Sequence, residues 1–153
     1  MKVSHRGLYA LKALIHLAQA HEDGDGSLVK IHEIAEVETI PEKFLEQILV
    51  ALKNARFVAS ERGRDGGYRL RRPPAEIVVG DVIRLIDGPL APFGDAVELQ
   101  RRVETEPRHA GLFELFLDVR NAAAAIIDHT TLHDLVTRNR RLLAARARKE
   151  ARR

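Results

Sequence analysis

The 153-residue chain contains no cysteine and no tryptophan, and aromatic residues make up only 5% of it. Disulfides, thiolate-ligated zinc, cysteine-held iron–sulfur clusters and cysteine nucleophiles are therefore excluded. Long apolar runs are also missing, since none approaches the roughly 20 residues that a membrane-spanning helix needs. The opening stretch from Met1 to Arg6 is not followed by the apolar core of a signal peptide. We therefore expect a cytoplasmic protein without a membrane segment.

The formal charge of +3 is distributed unevenly along the chain. Residues 1–74 carry a net charge of +2, residues 75–137 a net charge of −6, and residues 138–153 a net charge of +7. Within the first segment, residues 53–74 contain seven basic and two acidic side chains. A local basic patch of this kind indicates a nucleic-acid partner. The basic tail either adds sequence-independent DNA affinity or is a partly ordered solubilising end.

Apolar residues recur at helical spacing in three segments of the N-terminal half. They predict a helix over about 4–21, a shorter helix over 28–37, and a third helix that ends near Ala55 with Thr39 as its expected N-cap. The break from Glu38 to Pro41 has the length of the turn in a helix-turn-helix. On this segment alone, an αα-hairpin without a nucleic-acid role stays open.

A glycine-rich turn follows, between two β-prone segments at 57–62 and 68–71. The pattern predicts a two-stranded hairpin, and a helix-turn-helix followed at once by a basic hairpin is a winged helix. The third helix would read base edges in the major groove, while wing arginines reach phosphates or an adjacent minor groove. The turn glycines allow positive φ and a close backbone approach to the duplex. These residues are Gly63, Gly66 and Gly67 for the turn, and Arg62, Arg64 and Arg69 for DNA. A solvated hairpin face is the alternative interpretation of the arginines.

Five motifs occur here in a characteristic order and spacing. They are Ser4 to Ala10, Phe44 to Leu49, Glu61 to Leu70, Val79 to Ile83, and Thr130 to Leu135. Together they resemble the IscR/NsrR-type (Rrf-two) family of winged-helix transcription regulators over roughly residues 1–137. The resemblance implies homodimers on a roughly palindromic operator, with a long C-terminal helix from each subunit crossing its partner.

The resemblance also implies roles for individual residues. Glu46 and Gln47 match positions that read bases, Lys43 matches a position on the same helix face, and Arg62 matches a wing position. The chemistry agrees, because a carboxylate can accept a hydrogen bond from the cytosine amino group and a glutamine can pair in a bidentate way with adenine. The Gly63-Arg64 pair departs from the commoner Gly-Pro pair of the family.

A long helix over about 108–128 is predicted to mediate dimerisation. Apolar residues cover more than one face of the segment 112–127, so the helix needs a second surface, which a partner subunit can supply. Four consecutive alanines, Ala122 to Ala125, would permit a close helix–helix approach. Packing wholly within one subunit is the alternative. The predicted dimerisation residues are Leu112, Phe113, Phe116, Ala123 and Ile127.

Many members of the family bind an iron–sulfur cluster through three cysteines before the long helix, but the matching region, about 91–110, contains none. No cofactor is therefore predicted. The acidic residues of this region and His109 fit no named metal site, and a helix boundary at Thr130 is expected to break the pair His129 and His133. No metal site is predicted. A small-molecule effector in the 89–107 region, a partner protein, or no ligand at all stay open.

The sequence thus predicts a mainly α fold. A winged helix-turn-helix with a two-stranded β wing occupies 1–74, an effector and dimerisation region 75–137, and a basic tail 138–153. The predicted function is a homodimeric, sequence-specific DNA-binding regulator, in the form of a repressor. The chain shows no nucleophile–base pair, P-loop or dinucleotide fingerprint, so we do not expect an enzyme. The alternative is a winged-helix module that docks another protein without specific DNA binding.

Overall fold

The computed structural model describes residues 2–24, 26–89 and 93–153. Seven α-helices and one two-stranded antiparallel sheet make up the regular elements of this part of the chain. The mainly α fold class is confirmed. In chain order the elements are α1 (His5–Gly24), α2 (Ile31–Glu38), α3 (Glu42–Asn54), β1 (Val58–Glu61), β2 (Gly67–Leu70), α4 (Val79–Asp87), α5 (Ala96–Thr105), α6 (Ala110–Asp128) and α7 (Leu132–Glu150).

Helix α1 is the centre of the fold, and its apolar stripe packs against α2, α3, β2, α4 and α7. Small residues on that stripe, Ala10, Ala13 and Ala18, are fully buried, which lets the neighbouring helices approach closely. Ser4 caps the helix, because its Oγ accepts a hydrogen bond from the Gly7 amide at 2.9 Å. The predicted first helix is confirmed and continues three residues beyond its expected end.

The helix-turn-helix is present, but the prediction of Thr39 as an N-cap is wrong. Thr39 lies in the left-handed region, with φ 55° and ψ 51°. Its amide bonds to the Glu36 carbonyl at 3.3 Å, and the Ile40 amide bonds to the Ala35 carbonyl at 2.9 Å. This pair of bonds is the Schellman ending of α2. Thr39 therefore ends the first helix of the pair, and Pro41 occupies the N-cap position of α3.

The wing is a short hairpin whose inner edge is covered by the chain that follows α1. Val58 pairs with Leu70 and Glu61 with Gly67 across β1 and β2. Val29 bridges to Tyr68 through two backbone hydrogen bonds of 2.8 Å. Because Val29 is held in this extended bridge, α2 begins at Ile31 rather than at the predicted residue 28.

The second half of the chain joins the winged helix through α4 and the start of α7. The Val79 amide bonds to the Thr130 carbonyl at 2.9 Å, and the Leu132 amide bonds to the Ile77 carbonyl at 3.0 Å. Helix α5, which the sequence analysis did not predict, lies after Asp87 and is capped by the Asp95 carboxylate. Its low content of apolar residues hid it from periodicity, since Leu99 is its buried residue.

The predicted long helix is confirmed as α6. Thr131 then starts α7 with a capping box, in which its hydroxyl accepts from the Asp134 amide at 3.1 Å and the Asp134 carboxylate accepts from the Thr131 amide at 2.8 Å. This agrees with the expected helix boundary at the two threonines. Helix α7 passes through residue 138 without a break, and the division into three segments stays a prediction.

Candidate nucleic-acid interface

Helix α3 separates a buried face from an exposed one. Leu45, Ile48, Leu49 and Leu52 have no exposed surface, and they anchor the helix in the core. The opposite face is open to solvent and carries Glu42, Lys43, Glu46, Gln47, Val50, Lys53 and Asn54. The structure therefore brings all three predicted residues of this helix, Lys43, Glu46 and Gln47, onto one accessible surface.

Val50 is an exposed apolar residue on the same face that sequence reasoning did not select. Its side chain is 55% exposed, one turn from Glu46 and Gln47. An isolated aliphatic group among polar ones can contact the methyl group of thymine in the major groove. The signal was available, because a helical repeat of three to four residues places position 50 beside positions 46 and 47.

Contacts from α1 hold the helix-turn-helix in place. Lys12 Nζ donates to the Glu38 carbonyl at 2.5 Å, and His16 Nδ1 lies 3.0 Å from Glu38 Oε1. Tyr9 meets Phe44 edge to face, with ring centroids 5.7 Å apart. The end of α2 and the first turn of α3 are thus both attached to one rigid helix, which orients the exposed face of α3.

The wing tip carries exposed Arg62 and Arg64 on a turn that requires glycine. Gly63 has φ 108°, a conformation that a side chain would strain. A Cβ on Gly67 would lie 2.6 Å from the Val29 carbonyl oxygen, so this glycine permits the bridge at the wing's inner edge. The predicted positive φ is confirmed at Gly63, while the close approach of the turn glycines to a duplex stays a prediction.

The three predicted wing arginines differ in their surroundings. Arg62 and Arg64 form no ion pair with any residue that the structure describes, whereas Arg69 lies 3.3 Å from Glu61 on the paired strand. Lys30 Nζ donates to the Arg64 carbonyl at 2.9 Å and ties the wing tip to the start of α2. Arg62 and Arg64 are therefore exposed cations without an ion-pair partner among the described residues, whereas Arg69 shares its charge with a carboxylate.

The predicted dimerisation residues of α6 lie along one arc of the helix, which runs from a buried to an exposed side. Phe113 is 4% exposed, and Ile127 packs against Val79 and Ile83 of α4, so both face the body of the same chain. Phe116 and Ala123 lie beside Ile127 and are partly covered, whereas Leu112, 46% exposed, begins an outer stripe. Three further exposed apolar residues extend this outer stripe, and sequence reasoning missed them: Leu115, Val119 and Ile126.

Helix α5 covers one flank of α6 with aromatic and charged contacts. Phe93 stacks on Phe116 at 4.5 Å between centroids, and the Arg102 guanidinium lies 4.2 Å from the centre of the Phe113 ring. The hydrogen bond from Arg102 holds the pKa of the Glu106 carboxyl below its usual range. A cleft of about 350 Å³ opens between α5 and α6, lined by Gln100, Val103, Glu114, Leu117, Asp118 and Asn121.

Five candidate metal ligands of the sequence form hydrogen bonds to other groups: Asp95, Glu98, Glu106, His129 and His133. The hydrogen bond from Arg101 lowers the pKa of Glu98, and Asp95 caps α5. His129 Nδ1 lies 2.7 Å from the Ala125 carbonyl, while His133 Nδ1 lies 2.7 Å from Glu22 Oε1. Across residues 2–24, 26–89 and 93–153, no group of three or more His, Asp or Glu side chains is arranged to hold a metal ion.

Comparison with known proteins connects this geometry to a family. The family model Rrf2, described as "Iron-dependent Transcriptional regulator", matches residues 3–138. The HTH-type transcriptional regulator CymR of Bacillus subtilis is 39% identical over 137 residues, which cover 90% of this chain and 91% of that protein. The IscR regulator of Photobacterium profundum is 30% identical and is covered over 77% of its length.

Solved structures agree. The structure of B. subtilis CymR, titled "the Global Cysteine Regulator", superposes with a TM-score of 0.71 at 34% identity and covers 90% of this chain and 97% of that one. The structure of T. potens IscR gives a TM-score of 0.68 at 30% identity and covers 91% of this chain and 88% of that one. Among the described residues, no helix is both long and apolar enough to span a membrane.

The iron of the family description does not fit the residues present here. A cysteine-ligated cluster has no ligands, because the chain lacks cysteine. Three carboxylates in the corresponding region have other partners, since Asp95 caps α5 and Glu98 and Glu106 pair with its arginines. The family assignment rests instead on the winged helix, on the match over residues 3–138, and on relatives that are regulators rather than enzymes. This chain is a cysteine-free member of the Rrf2 family of DNA-binding transcription regulators.

Proposed function

We propose that this protein is a homodimeric repressor that binds a palindromic operator in the cytoplasm and works without a cysteine-ligated cluster. The observation that carries the proposal is the exposed face of α3, where Lys43, Glu46 and Gln47 lie together, next in the chain to a wing with exposed arginines. Carboxylates repel phosphate, so Glu46 is useful on this face when it meets a base edge. Base reading is therefore assigned to α3 and phosphate binding to Arg62 and Arg64.

Single substitutions test this division of roles. We expect Gln47→Ala to relax base preference at one operator position by about 1–3 kcal/mol, because a bidentate contact to a base is lost. We expect Arg62→Ala to weaken binding to all sequences and to reduce the salt dependence by about one unit. Selection from a random duplex pool, followed by titration at several salt concentrations, measures both effects. Arg108→Ala, an exposed arginine in the other half of the chain, is the control.

The outcomes separate the candidate functions. A two-fold symmetric site enriched by the wild type supports the operator proposal, because a dimer reads two equivalent half-sites. Failure to enrich any symmetric site would contradict it and favour the protein-docking module. Equal changes in base preference for Gln47→Ala and Arg62→Ala would contradict the assigned roles. Transcription from a promoter that carries the enriched site distinguishes repression from activation.

The outer stripe of α6 supports the homodimer. Leu115, Val119 and Ile126 are 54%, 42% and 68% exposed and recur at intervals of about one and two helical turns, so they form one uncovered apolar face. A second copy can cover this face by two-fold symmetry. We expect the double variant Leu115→Glu/Val119→Glu to sediment as a monomer, while Val37→Glu, at an exposed valine of α2, stays dimeric. A dimeric double variant would contradict this interface.

The effector remains a prediction, with the cleft between α5 and α6 as its proposed site. Four of its six lining residues belong to α6, so a ligand there would contact the long helix directly. Native mass spectrometry of the purified protein tests for a retained organic ligand. A visible absorption spectrum with metal analysis tests the proposed absence of a cluster, and an absorbing, iron-containing protein would overturn that part of the proposal.

A further inference from the structure

Residues 139–153 lie beyond the family match, yet they continue a helix of the folded body. Every residue from Thr137 to Arg153 is exposed. The first turns of α7 are well seated, because Leu132 and Val136 have no exposed surface and Thr131 caps the helix. The segment from Arg141 to Glu150 therefore projects as a helical extension, about 15 Å long at the usual rise of 1.5 Å per residue.

One arginine fixes the extension against α1. Arg140 donates to Glu22 Oε2 at 2.9 Å and to Asp23 Oδ1 at 2.8 Å. His133, two turns earlier, lies 2.7 Å from the other oxygen of Glu22. These contacts hold the helix at the C-terminal end of α1, so the direction of the extension is set by the folded body.

Five basic side chains of α7 share one side of the helix. At 100° per residue they fall within an arc of about 160°, and Arg140 points to the opposite side. None of the five forms an ion pair with any other residue that the structure describes. We call this surface the basic stripe, and it consists of Arg138, Arg141, Arg146, Arg148 and Lys149.

Its location relates the basic stripe to the wing. A cleft between the end of α1 and the sheet is lined in part by His21, Arg69 and Arg71. Glu22, which follows His21 directly, is the residue that holds Arg140. The end of α1 thus holds α7 and also borders the strands of the wing, the element to which phosphate binding is assigned.

The distribution of the two exposed leucines argues against a membrane surface. Leu142 is 51% exposed and lies within the arc of the basic stripe, whereas Leu143 is 63% exposed and lies about 100° away. A helix that lies in a membrane interface needs a continuous apolar face opposite its basic one. Here the side opposite the stripe is largely alanine, including Ala144, Ala147 and Ala151.

We propose that the basic stripe is a second DNA contact, which binds phosphates of the duplex next to the operator half-site without reading bases. This inference rests on the proposed function, because it takes duplex DNA as the polyanion. Five unpaired cations on one side of a rigid helix can replace condensed counterions along a phosphate backbone. The contact adds affinity equally to all sequences and leaves base preference to α3.

Fluorescence anisotropy with two duplexes tests the stripe. A five-fold variant, in which glutamine replaces every residue of the basic stripe, removes the charges but keeps helix-forming side chains. Its substitutions are Arg138→Gln, Arg141→Gln, Arg146→Gln, Arg148→Gln and Lys149→Gln. Between about 50 and 200 mM salt, we expect it to bind both a random duplex and the selected operator about tenfold or more weakly than the wild type. We also expect the slope of log affinity against log salt to be shallower by about 2–4 units, at about 0.9 per lost phosphate contact. The ratio of the two affinities should not change.

A control variant distinguishes an effect of the basic stripe on DNA affinity from an effect of the protein's net charge. Arg101→Gln/Arg108→Gln lowers the charge on α5 and on the turn that follows it, and it should leave the salt slope unchanged. If that control reduces the slope as much per charge, or if the five-fold variant keeps wild-type slope and affinity, the inference is overturned. The inference is also overturned if the five-fold variant loses binding to anionic lipid vesicles while its affinity for both duplexes stays at the wild-type value. Circular dichroism checks helicity, and Arg146→Gln/Lys149→Gln should give a smaller change in the same direction if the larger variant is unstable.

Binding to the random duplex tests the basic stripe independently of the operator proposal. If the wild type prefers no site but the five-fold variant loses affinity for random duplex, the DNA contact of the basic stripe is supported and sequence-specific recognition is contradicted. If the wild type selects a symmetric site and the five-fold variant binds it with wild-type affinity, sequence-specific recognition is supported and the DNA contact of the basic stripe is contradicted.

Discussion

Thr39 and Arg56 are the two non-glycine residues with positive φ in the part of the chain that the structure describes, at 55° and 62°. Each ends a helix of the helix-turn-helix, with the following amide bonded back to the last turn: Ile40 to Ala35 and Phe57 to Leu52. The left-handed conformation costs an L-residue roughly 1–2 kcal/mol relative to glycine. Thr39 bears this cost most heavily, because its Cβ is branched.

Thr39→Gly should therefore stabilise the protein. We expect the free energy of unfolding to rise by about 1 kcal/mol, because glycine adopts this conformation without strain and the gain exceeds its extra entropy in the unfolded chain. Urea denaturation followed by circular dichroism measures the change. The matched control is Thr137→Gly, at an exposed position inside α7, where we expect a loss of about 0.5 kcal/mol. A destabilised Thr39→Gly would contradict the assignment of strain to this residue.

At the scale of the element, the start of α7 depends on one carboxylate. Hydrogen bonds from the amide and hydroxyl of Thr131 hold the pKa of Asp134 below its usual range. A carboxyl group with a lowered pKa in the folded state stabilises that state above its unfolded pKa, and this stabilisation is lost as pH falls through the folded value. The capping box is thus an acid-sensitive start for the helix that carries the basic stripe.

Removal of the cap should have an effect that depends on pH. We expect Thr131→Ala to lower the free energy of unfolding by about 1 kcal/mol at neutral pH, which is typical for an N-cap. The stability difference between wild type and Asp134→Ala should shrink as pH falls below about 4, where the carboxyl group begins to protonate. Urea titrations at a series of pH values measure both, with Thr137→Ala as the control. A difference that stays constant down to acid pH would contradict the role of Asp134.

The elements that the sequence predicted well are those with a single dominant signal. Helix α3 shows clear periodicity, so Glu46 and Gln47 could be placed opposite Leu45 and Ile48 in advance. The wing follows from glycines between β-prone segments. Thr39 was assigned wrongly because threonine favours an N-cap locally, while the packing of α2 on α3 decided its conformation.

The local pattern missed one helix and left the inward and outward faces of another undetermined. Helix α5 contains few apolar residues, and it is stabilised by Asp95 as a cap and by arginine–glutamate pairs on its surface. Helix α6 is apolar on several sides, so periodicity could not show that Phe113 faces inward and Val119 outward. That distinction depends on where α4 and α5 lie, which is a property of the tertiary fold.

At the scale of the whole molecule, the winged helix and the long helix meet at α4. Arg84 Nη2 donates to both carboxylate oxygens of Asp128, at 2.7 and 2.8 Å, so α4, the first α-helix after the wing, is fixed to the end of α6. Gly80 makes this possible, because a Cβ there would lie 2.0 Å from Asp128 Oδ1. The orientation of the winged helix relative to α6, and so to the proposed dimer axis, therefore depends on this contact.

Gly80→Ala should disturb that orientation. We expect a loss of about 1–2 kcal/mol in the free energy of unfolding from overpacking, and a larger loss of affinity for a two-half-site operator than for a single half-site. Gly111→Ala is the control, since a Cβ there meets no atom within 4 Å. Denaturation and titration of the two duplexes measure the effects. Equal losses on both duplexes would contradict a role for α4 in spacing the half-sites.

The bridge between Val29 and Tyr68 has a further consequence for how copies of this chain associate. A two-stranded sheet normally offers two open edges, each a template for intermolecular strand pairing and aggregation. Here the backbone of Val29 occupies part of the β2 edge. The outer edge of β1 is four residues long and ends at Glu61 and Arg62, whose charges disfavour strand addition. Copies of the wing are thus protected from pairing edge to edge, even when two of them are brought close together on one stretch of DNA.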